Sequence, residues 1–186
     1  MNTIPAKENY VAFMHLQRGF DLIRSRNFSK AQAESRCYKK LIDYDNLPLT
    51  DNRTETNPKV SVVIVAFNIN MSLIECLDSI ATSNNPPHEI IIVDNGGNES
   101  IHEELSRRSI LHINVGFNTI LAEGRNIGVH FARAPIVAFI DDDAIAGPDY
   151  VASVAEAFIS LNIHGFRGKV LPKSNHPNNN KQNHYD

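Results

Sequence analysis

Three consecutive aspartates, Asp141 to Asp143, are the residues of this sequence whose type and spacing best fit chemistry. They directly follow the apolar run Ile136 to Ile140, which is expected to be a buried strand. Adjacent carboxylates repel one another unless water or a cation screens them. Mg²⁺ and Mn²⁺ favour carboxylate oxygens and often share their coordination shell with substrate phosphates. The triple Asp therefore predicts a loop that holds a divalent metal against a diphosphate, and the alternative is a solvated acidic turn.

Polar residues also follow two other predicted strands. Asn68 comes after the strand Val60 to Ala66, and Asp94 comes after the strand Glu89 to Val93. Open α/β sheets bind ligands beyond the carboxyl ends of their strands, so we expect these side chains and the triple Asp to share one crevice. For Asp94 the alternative is a cap on the following helix.

The elements that would position these residues alternate between short β-branched runs and amphipathic helices. The predicted strands are 60–66, 89–93, 109–114, 136–140 and 166–171, and the predicted helices are 72–81, 99–107, 122–132 and 149–161. Continuous apolar strands are typical of a parallel sheet that is buried on both faces. The alternation predicts an α/β fold, a three-layer sandwich with a mostly parallel, right-handed central sheet.

Four segments are predicted along the chain. Residues 1–44 are expected to form a helical hairpin, 45–58 a polar linker, 59–172 the α/β domain and 173–186 an asparagine-rich polar tail. The hairpin carries an apolar stripe but no cluster suited to chemistry. We therefore expect it to serve packing or association, either with a membrane surface or with a second copy of the chain.

Composition excludes several classes of protein. The 186 residues are 42% hydrophobic and 21% charged, which is typical of a folded domain. The net charge of −3 provides no basic field for nucleic acid. Two cysteines give neither a disulfide framework nor a zinc motif, and no signal sequence or membrane span is evident. The expected location is the cytoplasm, in solution or at the inner face of the membrane.

Three motifs together carry a resemblance to a known family. They are VSVVIVAFN, EIIIVDNGG and NVGFNTILAEGRNIGVHFARAPIVAFIDDDA, within about residues 59–172. Their order and spacing resemble the nucleotide-diphosphate-sugar glycosyltransferases of the GT-A fold, especially the large inverting family that builds polysaccharides and glycolipids. The resemblance implies a UDP- or GDP-type sugar donor, a glycan or lipid-linked acceptor, and Mn²⁺ or Mg²⁺ as cofactor.

The resemblance also implies roles for the residues near the base. Ala66, Phe67 and Asn68 would border it. Asp94 would accept a hydrogen bond from the ring N–H of a uracil-like base.

Further matches concern the nucleotide and the metal. Gly124, Arg125 and Asn126 correspond to the family's RN-containing region, where a helix start approaches the nucleotide, although Arg125 could equally be a surface ion-pair partner. In the DxD motif, Asp141 would face ribose or metal-bound water, and Asp143 would ligate the metal directly. Asp142 is the middle residue, with a less defined role.

Inverting transfer also needs a base, which the resembling family supplies from a segment well beyond the DxD loop. Only 43 residues follow Asp143, so we expect this chain to be the donor-binding part, with no base assigned. If a base lies within it, the acidic candidates are Glu123, Asp149, Glu156 and Asp186.

Three alternatives remain open from the sequence. A haloacid-dehalogenase-like phosphatase also places D-x-D after a buried strand, but that motif opens its domain and needs later Lys and acidic residues. A dinucleotide-binding domain would need a G-x-G-x-x-G after the first strand, which is not present here. The non-enzyme alternative is a nucleotide-sugar-binding or assembly module.

Overall fold

The structure, a computed structural model, describes residues 42–67, 69–82, 88–96, 101–161 and 163–172. The elements in chain order are a 3-10 helix (Tyr44–Asn46), β1 (Leu49–Asp51), β2 (Val60–Ala66), α1 (Met71–Ala81), β3 (His88–Asp94), α2 (His102–Ser106), β4 (Leu111–Asn114), α3 (Ile120–Phe131), β5 (Ile136–Asp141) and α4 (Tyr150–Leu161). The predicted hairpin, apart from its last residues, lies outside the described residues, as do Asn68 and the predicted polar tail.

The five strands form one sheet in the order β1-β4-β3-β2-β5. The pairs β2–β3, β2–β5 and β3–β4 are parallel, and β1 joins the edge at β4 in the antiparallel sense. This confirms the predicted α/β class with a mostly parallel sheet. The central strands β2 and β3 are buried along nearly their whole length, as expected where helices cover both faces.

Two apolar cores lie on opposite faces of the sheet, because successive strand residues point to opposite sides. On one face, α1, α2 and α4 pack against the sheet; their buried members include Leu73, Leu77, Leu105, Val151 and Val154. On the other face, α3 and the segment around the 3-10 helix pack against it; their buried members include Ile42, Leu47 and Ile127. The molecule therefore has the predicted three layers.

Helix α3 lies unusually close to β2 because two of its residues are glycines. A Cβ atom on Gly124 would lie 2.5 Å from a methyl carbon of Val65, and one on Gly128 would lie 2.3 Å from a methyl carbon of Val63. Both distances are well inside van der Waals contact. The glycine spacing in this region thus serves helix–strand packing, which fixes where α3 begins relative to the end of β2.

Two predicted segments differ from the structure. The segment 45–58, expected to be a linker, contains the 3-10 helix and β1, whose three residues are all exposed and pair with β4. The predicted strand 166–171 is wrong: residues 163–172 contain no helix or strand, and Val170 is 85% exposed. An apolar run becomes a strand only when a neighbouring strand satisfies its backbone groups.

The amino end of the sheet holds a closed network around Glu89, whose side chain is fully buried. Its carboxylate accepts hydrogen bonds from the Ser61 hydroxyl (2.6 Å), the Arg53 guanidinium (2.8 Å), and both the backbone N–H and the guanidinium of Arg133. Burial alone would raise the pKa of Glu89, but the hydrogen bonds from Ser61 and Arg133 and the charge of Arg53 outweigh it, and the pKa is lowered. Both carboxylate oxygens of Glu89 are therefore hydrogen bonded within the fold.

Among the described residues, no helix has the length and apolar character needed to cross a membrane.

Candidate functional site

The carboxyl ends of the parallel strands bring the predicted polar residues to one edge of the sheet. In the strand register, Ala66 lies opposite Asp94, Val65 lies opposite Asp141, and Asp94 lies opposite Asn114. Asp94 and Asp141, which the sequence predicted to share a crevice, therefore lie at the ends of the two strands that pair with β2, while Asn68 lies outside the described residues.

Hydrogen bonds link the turn that carries the triple Asp to helix α1. The carbonyl oxygen of Asp141 accepts from the backbone N–H of Ala144 at 3.1 Å and from the thiol of Cys76 at 3.6 Å. Further along, the backbone N–H of Ala146 donates to the Ser79 hydroxyl at 2.9 Å. These contacts fix the backbone of the turn and leave its carboxylates free to face outward.

The carboxylates of this turn repel one another, and the effect is seen at Asp142. Partial burial, followed by the charge of Asp143, raises the pKa of Asp142, although the backbone N–H of Phe67 hydrogen bonds to it. The Asp141 side chain is 69% exposed. Burial, and then the charge of Asp142, raises the pKa of the Cys76 thiol to about 12.

The turn fits a cation that takes only part of its shell from the protein. Among the described residues, the carboxylates of Asp141, Asp142 and Asp143 do not converge as a group of three ligand atoms. Mg²⁺ and Mn²⁺ at phosphate sites use one or two carboxylates and fill the remaining positions with water and phosphate oxygens. The repulsion at Asp142 is what such a cation would relieve.

Arg125 is the one predicted residue of the RN region that the structure places beside the triple Asp. Its guanidinium lies 3.6 Å from the Asp141 carboxylate and 5.2 Å from the centre of the Phe139 ring. Both alternatives for Arg125 thus remain compatible with its position, since it forms an ion pair at the same edge where a diphosphate would lie.

The other two residues of that region take different roles. Gly124 is buried against Val65, and Asn126 donates to the Glu123 carboxylate at 3.0 Å. Glu123 also accepts a hydrogen bond from the hydroxyl of Tyr44, and burial together with this bond raises the pKa of that tyrosine. Glu123 is only 6% exposed and doubly bonded, so it is not placed as a free base.

Asn95 organises the loop that leads into α3, a role that the sequence did not reveal. Its backbone N–H donates to Ala66, and its side-chain oxygen accepts from the backbone N–H of Thr119. Its amide nitrogen donates to the backbone carbonyl of Ile120, which has a φ of 63°. A positive φ is costly for a β-branched residue, so the Asn95 contacts hold a strained backbone at the helix start.

Asp94 lies in a closed pocket with two histidines that sequence reasoning missed. One carboxylate oxygen accepts from the backbone N–H of Gly96 at 3.1 Å. The other lies 3.3 Å from Nε2 of His102 and 3.6 Å from Nε2 of His112. The Asp94 side chain has no solvent exposure. No local signal in the sequence marks this cluster, because only the pairing of β3 with β4 puts Asp94 and His112 on the same face.

Comparison with known proteins identifies the family. The model of glycosyl transferase family 2 matches residues 61–185. The chain belongs to this family.

Individual relatives match about half of this chain. The validoxylamine A glucosyltransferase of Streptomyces hygroscopicus subsp. limoneus is 31% identical over 109 residues, which cover 54% of this chain and 24% of that protein. The glycosyltransferase YwdF of Bacillus subtilis is 33% identical over 103 residues, covering 53% of this chain and 37% of that protein. The chain therefore spans well under half the length of these relatives.

Among solved structures, S. aureus TarS shares the fold. It superposes with a TM-score of 0.50 at 21% identity, over 62% of this chain and 39% of that chain. This agreement confirms the GT-A-type, Rossmann-like architecture predicted from the order of strands and helices.

Proposed function

We propose that this chain binds a nucleoside diphosphate sugar at the carboxyl edge of its sheet, in an inverting, metal-assisted transfer of the sugar to a glycan or lipid-linked acceptor. The observation that carries the proposal is the pairing of β2 with β5, which puts Val65, at the end of β2, opposite Asp141. It brings the region expected to border the base against the turn expected to hold the diphosphate. Family membership supports the same chemistry.

The base is proposed to lie over the end of β2. Phe67 is 51% exposed there, and an exposed aromatic ring offers a face on which a base can stack. Ala66 is buried beneath it, and Asn68 follows it in the sequence. Asp94 can reach a ring N–H of the base only if the side chains that enclose its carboxylate, including His102, move aside.

The diphosphate is proposed to lie against the triple Asp with Mn²⁺ or Mg²⁺. Asp143 would ligate the metal directly, and Asp141 would hold metal-bound water or the ribose. When bound, the metal neutralises charge on the leaving diphosphate. Arg125, beside Asp141, adds a fixed positive charge at this edge and would orient the phosphates as the sugar–phosphate bond breaks.

In the transfer itself, the acceptor hydroxyl oxygen bonds to the anomeric carbon as the bond from that carbon to the phosphate oxygen breaks. The nucleoside diphosphate leaves with the electron pair, and the hydroxyl proton passes to a carboxylate base. Among the four acidic candidates, Glu123 is already bonded to Tyr44 and Asn126. Asp149 and Glu156 are exposed, and Asp186 lies outside the described residues.

The relatives suggest which donors to test first. The Streptomyces relative is a glucosyltransferase, and TarS has been solved in complex with UDP-GlcNAc. UDP-glucose and UDP-GlcNAc are therefore the first candidates, with GDP-sugars as the comparison.

Calorimetry with UDP and GDP tests the proposal. We expect binding in Mn²⁺ or Mg²⁺ and at least about a tenfold loss in excess chelator or in Asp143→Ala. Glu156→Ala, which removes an exposed carboxylate from α4, is the matched control and should bind as the unmodified chain does. Equal affinity with and without metal would overturn the metal assignment, and the absence of nucleotide binding under all conditions would overturn the donor site.

The non-enzyme alternative is decided by a second assay with the same donors. Metal-dependent release of UDP from a bound UDP-sugar, with or without an added glycan acceptor, supports an enzyme, whereas tight donor binding without turnover supports a binding module. Family membership leaves no support for the phosphatase alternative.

A further inference from the structure

Three potential metal ligands meet around Asp94, away from the triple Asp. The carboxylate of Asp94 and the imidazoles of His102 and His112 each offer one ligand atom, and these atoms all lie within 4.8 Å of one another. In the described part of the chain, these are the only three such ligands that come together. The two imidazole rings meet edge to face, with centroids 4.8 Å apart.

The spacing of these atoms suits a small tetrahedral ion. A metal with nitrogen and oxygen ligands about 2.1 Å away places neighbouring donor atoms about 3.4 Å apart in a tetrahedral site. The observed separations from the Asp94 oxygen are 3.3 Å to His102 and 3.6 Å to His112. Charged hydrogen bonds between nitrogen and oxygen are shorter, about 2.7–2.9 Å, so the pocket is wider than a close ion pair requires.

Unsatisfied polar atoms point to a ligand in the same pocket. Nε2 of His112 is buried and has no hydrogen-bond partner within the described ranges, and the same is true of the side-chain oxygen of Asn114. Asn114 lies opposite Asp94 in the strand register, two residues after His112. Buried polar groups are almost always hydrogen bonded, so two such atoms without a hydrogen bond, two residues apart on β4, require an explanation.

The scaffold holds the ligands in place. Asp94 and His112 lie on paired strands, and His102 is the first residue of α2, which packs into the core through Leu105. The second oxygen of Asp94 accepts from the backbone N–H of Gly96, and this bond fixes the orientation of the carboxylate. Such support of a metal-ligating carboxylate is common in metal sites.

We propose that Asp94, His102 and His112 bind a transition metal ion of the Zn²⁺ type, at a site separate from the triple Asp. Two imidazoles and one carboxylate suit Zn²⁺ rather than Mg²⁺, and three protein ligands leave one position for water. The ion would tie α2 to the edge of the sheet. The Asp94 carboxylate is also the proposed acceptor of the base N–H, so the ion and the base would compete for it.

Cobalt substitution tests this site directly on the full chain. After treatment with chelator, added Co²⁺ should give the intense visible absorption of a four-coordinate ion, and Zn²⁺ should abolish it by displacement. Loss of a second-shell partner alone weakens metal binding about 10–100-fold, so His102→Ala should weaken Co²⁺ binding by about 100-fold or more. His164→Ala removes an exposed histidine outside the cluster and should leave the absorption unchanged.

Two further variants separate this site from the donor site and from a folding defect. Asp143→Ala should retain the cobalt absorption even where it loses nucleotide binding, because the triple Asp holds oxygen ligands and water in an octahedral, weakly absorbing shell. Asp94→Asn keeps an oxygen for the Gly96 N–H and should lose the absorption while circular dichroism shows a folded chain.

X-ray absorption on the zinc-loaded chain supplies the decisive reading. Two imidazole ligands in the first shell are expected. A shell of oxygen alone, or equal Co²⁺ affinity in His102→Ala and the unmodified chain, would overturn the site and leave Asp94 and its histidines as an ion-paired cluster.

Discussion

Strand β3 carries a buried carboxylate near each end, and the two have very different surroundings. Glu89 and Asp94 are both without solvent exposure in their side chains. At the amino end, Glu89 receives four hydrogen bonds from Ser61, Arg53 and Arg133. At the carboxyl end, Asp94 faces two imidazoles at longer distances, and the buried Nε2 of His112 has no hydrogen bond to any described residue.

The difference teaches that a buried charge does not by itself mark a functional site. The two ends of β3 differ in whether the polar atoms around the buried carboxylate all have hydrogen-bond partners. The Glu89 network is closed, which is the arrangement of a structural ion pair. Beside Asp94, Nε2 of His112 has no hydrogen bond to any described residue. In the triple Asp, the neighbouring carboxylates repel Asp142. Both of these lie at the edge where α/β sheets bind ligands.

The largest effect is expected from Glu89→Gln. Removing one partner of a buried ion pair leaves the other charge uncompensated and costs about 3–5 kcal/mol of unfolding free energy. The lower part of that range applies here, because the Arg133 side chain is 41% exposed. Urea unfolding measures it, with Glu104→Gln, from a more exposed pair with Arg108, as a control that should lose less than about 1 kcal/mol. A loss below about 1 kcal/mol in Glu89→Gln would remove the contrast between the two ends.

The same network predicts acid sensitivity. Because the pKa of Glu89 is lowered from its ordinary value of 4.5, its contribution to stability is fully present above about pH 4.5 and is lost as the pH falls through the folded-state pKa. The difference in urea midpoint between the unmodified chain and Glu89→Gln should therefore be constant from pH 7 to about pH 5 and shrink below that. If the difference in urea midpoint stays constant down to pH 3, the ionised carboxylate of Glu89 is not the form that stabilises the fold.

The sequence predicts the features that depend on neighbouring residues and misses those that depend on contacts between distant residues. The strand Val60 to Ala66 was predicted to the residue, because a β-branched run in a parallel sheet is a local signal. The strand Leu49–Asp51 was missed, because it is short and exposed and is defined by its pairing with β4. The triple Asp was evident because its three members are adjacent in the chain.

The histidine pocket could not be read from the sequence in the same way. His102 and His112 are ten positions apart, and each alone is an ordinary histidine. Only the pairing of β3 with β4, and the packing of α2 over that edge, bring them to Asp94. The direct role of Gly124 at the nucleotide was inferred from a motif, whereas its packing against Val65 depends on a distance that only the fold reveals.

A smaller effect is expected from Asp94→Asn in the presence of chelator. Asparagine keeps an oxygen for the Gly96 N–H, and the imidazoles lie at longer distances than the guanidinium groups around Glu89. We expect a loss of about 1 kcal/mol, the usual net worth of a single hydrogen bond. Urea unfolding in parallel with Glu89→Gln gives the comparison, and a loss as large as that of Glu89→Gln would show that Asp94 is also a structural ion-pair partner.

The smallest effect in chelator, and the most informative one, is expected from His112→Leu. A buried polar atom without a partner costs about 1–3 kcal/mol, and its removal recovers part of this cost while packing against His102 is lost. The two terms oppose each other, so the unfolding free energy should stay within about 1 kcal/mol of the unmodified chain.

With Zn²⁺ at about 100 times its dissociation constant, the unmodified chain should gain about 2.7 kcal/mol and the variant nothing. His130→Leu, which removes an exposed histidine bonded to Asp45, is the control and should keep the zinc-dependent gain. A loss of several kcal/mol in His112→Leu that is independent of zinc would mean that the imidazole stabilises Asp94 as Arg53 stabilises Glu89, and the two ends of β3 would then be alike.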